Sequence, residues 1–176
     1  MVLVAAWYDP EICGAFLLSA AVHELGHLAA AGCMGIRLRH FGTGSGGLFL
    51  DFCTEAVSYG KEIFILLSGS FMGLYSVWFC RKMGIWPGYC TCALGLNLVN
   101  LLPVAGLDGG RVCFCLLHHW MEGDRADRVY RVVAVVGSIL FWLIGVWIVL
   151  RVGPNVTWLL CGMAAVLKSL REWEFS

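Results

Sequence analysis

The sequence predicts an all-α membrane protein, a polytopic helical bundle of about five transmembrane segments with a small membrane-associated β-hairpin after the first helix. Three observations lead there. Hydrophobic residues fill 60% of the 176 positions and charged residues only 14%, with a mean hydropathy of +0.79, more apolar than a soluble core requires. Several apolar runs approach the roughly 20 residues that cross a bilayer. One of them, Ile12 to Met34, contains His23-Glu24-Leu25-Gly26-His27, and ionisable groups at membrane depth are expensive enough to mark function by default.

The elements follow in order. Met1 to Tyr8 is apolar but too short to span, and reads as interfacial. Asp9-Pro10-Glu11 is a helix start, with a capping acid, proline at the first helical position and an acid at the positive end of the dipole. The first span runs from Glu11 to Met34; it lacks a basic n-region and a small-residue cleavage site, so it reads as retained. Between Gly35 and Gly60 short alternations such as Ile36-Arg37-Leu38-Arg39 and Leu48-Phe49-Leu50-Asp51-Phe52 predict two strands. The glycine turn between them, Gly42 to Gly47, looks like a phosphate loop only superficially, because no Lys-Ser/Thr and no helix follow it.

A second span is predicted over Ile63 to Cys80, where Gly69, Ser70 and Gly73 form a small-residue face for close helix contact. A third apolar run, Ile85 to Val104, carries Asn97, Asn100 and Pro103 and breaks into Gly106-Leu107-Asp108-Gly109-Gly110-Arg111. Irregular backbone at membrane depth is tolerated where it lines a protein cavity, so the break is a second candidate functional element. Val112 to Leu117 continues apolar, His118 to Arg131 reads as a charged loop outside the bilayer, and a fourth span is predicted over Val132 to Leu150. Arg151 to Pro154 turns the chain into a shorter fifth helix, Val156 to Leu167, before the polar tail Lys168 to Ser176.

The whole chain therefore reads as one membrane-embedded domain over residues 1–176. If successive spans alternate, one face collects Arg37, Arg39, Lys61, Arg111, Arg125, Arg128, Arg131, Lys168 and Arg171 against Arg81, Lys82 and Arg151 on the other, which puts the first face in the cytoplasm. The expected location is a multi-pass position in a bacterial cell membrane. Formal net charge is zero and the basic residues form no stripe, so nucleic acid is not an expected partner.

The chemistry centres on the H-E-x-x-H motif. Residues four apart return to nearly the same face of a helix, so both imidazoles reach one metal ion while the acid stands beside them. A catalytic zinc takes about three protein ligands and keeps one position open. His23 and His27 supply two, and the best third ligand is Asp108, an acid at the end of an apolar segment inside a glycine-rich break. Glu24 is then the general base, and zinc lowers the pKa of a bound water to about 7. The cofactor expected is one Zn2+ per chain, and the reaction is metal-assisted amide hydrolysis.

These motifs resemble those of the site-2 proteases, a family of intramembrane zinc metalloproteases. The resemblance rests on H-E-x-x-H at His23 to His27, N-x-x-P at Asn100 to Pro103 and L-D-G at Leu107 to Gly109, and covers about residues 12–111, which it implies are the catalytic core, with accessory helices at about 132–170. It implies that His23, His27 and Asp108 bind zinc, that Glu24 is catalytic, and that Asn100 positions substrate or the developing oxyanion. It further implies a transmembrane protein as substrate, the lipid bilayer as surroundings and a regulatory membrane partner, with the strands at Ile36 to Phe52 accepting an extended substrate by strand addition. Departures from the family pattern are Val104-Ala105-Gly106 where a second proline is common, and Gly69-Ser70 where a Gly-Pro pair is common. A short core with basic cytoplasmic loops is most similar to the sporulation branch, which processes a sigma-factor precursor.

Two rival readings carry sequence features of their own. Cys90-x-Cys92 and Cys113-x-Cys115, with His118-His119, suggest a membrane metal-binding or transport protein, although nine scattered cysteines in apolar segments read first as packing thiols. A non-catalytic family member would bind a client without cutting it, against which stand the intact His23, Glu24, His27 and Asp108. Asn97 reads as structural.

Overall fold

A computed structural model describes residues 10–36, 38–44, 47–52, 58–152, 163 and 166. In chain order the elements are α1 (Pro10–Cys33), β1 (Leu38–Gly44), β2 (Gly47–Phe52), α2 (Tyr59–Met83), α3 (Pro87–Asn100), α4 (Asp108–Trp120) and α5 (Gly123–Val152). The chain divides into two compact units, Met1–Phe41 with Leu50–Leu101 and Gly42–Phe49 with Leu102–Ser176.

In the first unit α1, α2 and α3 pack against one another. The buried stripe of α1 is small or polar, Ala15, Ser19, His23, Gly26, His27 and Ala30, at the three- and four-residue spacing of one helix face. Ile12, Leu17, Leu18, Leu25 and Leu28 are the exposed residues instead. This inversion, small and polar inside with large aliphatics outside, suits a helix whose solvent is hydrocarbon. Ala15 packs with Val77, Tyr89, Cys90 and Ala93, while Ala30 and Ala31 pack on Ile65. Ser76 Oγ and the Tyr89 hydroxyl, 2.7 Å apart, tie α2 to α3.

The C-terminal ends of α1 and α2 are closed by glycine. After α1, Gly35 takes φ +68° and the Ile36 N–H donates to Ala31 C=O at 2.9 Å. After α2, Gly84 takes φ +67° and the Ile85 N–H donates to Cys80 C=O at 3.1 Å. Both are six-to-one closures in which a left-handed residue satisfies carbonyls the helix would otherwise orphan. Pro87 then starts α3, where its missing N–H costs nothing.

In the second unit α4 and α5 pack on each other, with Phe114 and Tyr130 edge to face at 5.2 Å and His118 Nε2 3.1 Å from Asp127. Backbone comes very close here. Gly110 lies against the Val104 carbonyl, and a Cβ on Gly137 would stand 2.5 Å from the Pro103 carbonyl oxygen. Only glycine allows either approach. Gly106, at φ +88°, turns the chain, and Leu107 leads into α4 with its carbonyl accepting from the Arg111 N–H.

Three described helices are long and apolar enough to cross a membrane, Pro10–Cys33, Tyr59–Met83 and Gly123–Trp147. On that ground the chain is a membrane protein. The third predicted span is shortened, because helix runs only from Pro87 to Asn100; at about 1.5 Å per residue it rises about 21 Å against a hydrocarbon core of about 30 Å. The predicted loop at His118 to Arg131 is a second correction: only Met121 and Glu122 separate α4 from α5. Its charges sit on a helix, where Arg128 and Arg131 each donate to the carbonyl four residues earlier. Strands β1 and β2 pair in one two-stranded sheet. Ser45 and Gly46 of the predicted turn Gly42 to Gly47, the segment before Pro10 and nearly all of the predicted fifth helix, Val156 to Leu167, lie outside the described residues.

Candidate metal centre

His23 and His27 sit one turn apart on α1 and are 4% and 5% exposed, which removes both imidazoles from solvent. Each ring is held through Nδ1. His27 Nδ1 is 2.7 Å from the Ile65 carbonyl oxygen of α2, and a carbonyl only accepts, so the proton is on Nδ1. His23 Nδ1 is 2.9 Å from Asn97 Oδ1 of α3. The orientation of that amide follows from its other end, because Asn97 Nδ2 donates to Ala93 C=O at 2.7 Å and leaves oxygen facing the imidazole. Both rings are thereby fixed as Nδ1–H tautomers that present an Nε2 lone pair.

The two Nε2 atoms face each other at 3.0 Å, with the rings edge to face. Two lone pairs at that separation repel unless a cation lies between them. Imidazole nitrogens bound at about 2.0–2.1 Å to a tetrahedral zinc would be about 3.3–3.4 Å apart, within a few tenths of an ångström of this spacing. The donor set therefore fits a metal, and the backbone carbonyl and amide behind each ring are the usual outer partners of metal-binding histidines.

Glycine makes the room. A Cβ on Gly69 would lie 2.6 Å from His27 Cε1 and 2.9 Å from Cδ2, and one on Gly73 would overlap the Asn97 amide. A Cβ on Gly26, inside the motif itself, would lie 2.6 Å from the Ser68 carbonyl oxygen and 2.8 Å from Gly69 Cα. Ser68 Oγ donates to Gly26 C=O at 3.0 Å, so α1 and α2 are close enough for direct hydrogen bonding. The face read from sequence as a helix contact is the wall of the histidine site.

Glu24 is half-buried beside His23 on α1. Asn100 is half-buried on α3, and its Nδ2 is 3.2 Å from His23 Nε2, so the amide stands at the lone pair itself. Asp108 is the first residue of α4, in the second unit, half-buried at a helix N-terminus where backbone N–H groups and the macrodipole favour a carboxylate. Sequence reading missed the roles of Asn97, Ile65 and Gly69. Asn97 left a signal: it is three residues before Asn100, so the two amides share a helix face.

The cysteine pairs are not arranged as chelates. Cys90 and Cys92 are both on α3, Cys113 and Cys115 both on α4, and residues two apart on a helix point to nearly opposite sides. One member of each pair is buried and the other half-buried, and the described cysteines are free thiols.

The arrangement is thus a helical membrane protein with two buried histidines, Nε2 facing Nε2, on its first helix. Its fold is similar to a solved site-2 protease from Methanocaldococcus jannaschii, with a TM-score of 0.64 and 16% identity, over 97% of this chain and 83% of that one. No protein-family model matches the sequence, and no curated protein matches it.

Proposed function

We propose that the protein is an intramembrane zinc metalloprotease that hydrolyses a peptide bond within or near a transmembrane segment of a membrane-protein substrate. The observation that carries this reading is the pair of Nε2 atoms 3.0 Å apart on buried rings locked through Nδ1, in a chain with the fold of a site-2 protease. His23 and His27 would hold zinc, with Asp108 of the L-D-G motif as the third ligand. The metal would supply Lewis acidity toward a peptide carbonyl and toward water.

This chain's own groups do the rest. Glu24 accepts the proton of the attacking water and delivers it to the leaving amide nitrogen. Asn100, whose Nδ2 stands 3.2 Å from His23 Nε2, orients the substrate carbonyl through its N–H. Helical peptide bonds are shielded, so the substrate enters extended and pairs with the two-stranded sheet at Leu38–Gly44 and Gly47–Phe52. The substrate is a transmembrane protein, the site opens toward the cytoplasmic side, and a membrane partner regulates entry; processing of a sigma-factor precursor in a bacterial membrane is the specific form we favour. A metal carrier built on the cysteines has less support, since the C-x-C side chains diverge.

The experiment is cleavage of a single-span substrate by purified wild type and Glu24→Gln, with zinc content measured on the same samples. The expected result is about one zinc in both and a loss of turnover of about 10²- to 10⁴-fold without the base. Equal cleavage by the two proteins would refute the assignment.

A further inference from the structure

We propose that Asn97 is a positioning residue for the metal site: its side-chain oxygen fixes the tautomer and plane of His23, and Gly73 is kept free of a side chain so that the amide can stand there. The inference rests on the zinc reading above and adds a residue that the motifs do not contain.

Asn97 is 0% exposed at the interface of α2 and α3. A buried amide must satisfy both ends, and this one does so in a single orientation. Its nitrogen donates to Ala93 C=O of its own helix, 2.7 Å away, and its oxygen accepts from His23 Nδ1 at 2.9 Å. Flipping the amide would put an N–H against an N–H and an oxygen against a carbonyl, so the ring senses one dipole direction only. That dipole keeps the proton on Nδ1 and the lone pair on Nε2.

A helix-packing asparagine alone would not require the second feature. Gly73 of α2 approaches so closely that a Cβ there would coincide with the Asn97 carboxamide. The Ser70 hydroxyl, one turn earlier, is 3.4 Å from the Asn97 backbone carbonyl. The wall of α2 is thus cut to the shape of this amide, and Asn100 lies on the same face of α3 at the other ring nitrogen.

The test is zinc affinity by chelator competition for the full chain in detergent micelles, for wild type, Asn97→Leu, Asn97→Asp and Gly73→Ala, with cobalt(II) substitution to read ligand geometry. Leucine keeps the volume and removes the acceptor; aspartate, as the protonated acid, keeps an acceptor oxygen for His23 and an O–H donor for the Ala93 carbonyl. The expected result is zinc binding weakened about 10- to 100-fold in Asn97→Leu and Gly73→Ala, a changed cobalt ligand-field spectrum in both, and restoration in Asn97→Asp. Helical signal and thermal melting of the metal-free proteins separate unfolding from detuning, and Asn97→Asp keeps the test decisive if the leucine variant does not fold. Wild-type affinity and spectrum in Asn97→Leu, or in Asn97→Asp a loss as deep as the leucine variant's, would overturn the inference. Absence of zinc from wild type would instead overturn the functional reading on which it stands.

Discussion

Adding one methyl group to Gly69 should disable the metal site while the bundle stays folded. In Gly69→Ala the new Cβ would lie 2.6 Å from His27 Cε1 and 2.9 Å from Cδ2, where unstrained carbon contacts are about 3.5–4.0 Å. The ring must therefore retreat by about 1 Å. It cannot do so freely, because its Nδ1 is tied at 2.7 Å to the Ile65 carbonyl, one turn earlier on the helix that carries Gly69. Metal sites tolerate displacements of only about 0.2 Å. Overpacking costs about 1–3 kcal/mol, and if that strain opposes the bound geometry, zinc affinity falls about 5- to 150-fold at about 1.4 kcal/mol per decade. Chelator competition in one detergent measures this, alongside melting of the metal-free protein. Gly95→Ala is the control, since a Cβ there meets nothing within 4 Å; it should bind zinc as wild type does. Wild-type affinity in Gly69→Ala would refute the claim that this glycine is the wall of the histidine site.

Two further outcomes are expected. Gly110→Ala drives a Cβ into the Val104 backbone carbonyl, which is less yielding than a side chain, so the turn that precedes Asp108 should shift and the protein should lose zinc or melt several degrees lower; an unchanged melt with unchanged zinc would count against a rigid turn. Successive amides of a strand point to opposite edges, so proline at Leu48 and at Phe49 of β2 probes the two edges separately. One of the two should lower cleavage several-fold while zinc content holds, and unchanged cleavage in both would sink strand addition.

Much of this centre was legible in the sequence because helical spacing alone puts His23 and His27 together, whatever packs on them. The length of α3 was not legible. Pro87 is a start signal, but the apolar run continues to Val104 past Asn100, where the helix stops and the chain breaks toward Leu107. The stretch from His118 to Arg131 differs for the opposite reason: its charge reads as loop, yet guanidinium groups four residues after the carbonyls they bind are at home on a helix surface. Gly69 and Gly73 were visible as small residues, but smallness does not say what comes close. In the structure the neighbours are an imidazole and an amide. Asn97 reads as structural in the sequence, and only its burial and two hydrogen bonds distinguish it.

The most direct test of the central claim is zinc K-edge X-ray absorption on the purified protein, repeated on a variant with all nine cysteines replaced by serine. The account predicts one zinc in both samples, with two imidazole nitrogens and oxygen ligands at about 2.0–2.2 Å and no sulfur shell. A sulfur shell at about 2.3 Å, or zinc that disappears with the cysteines, would contradict it.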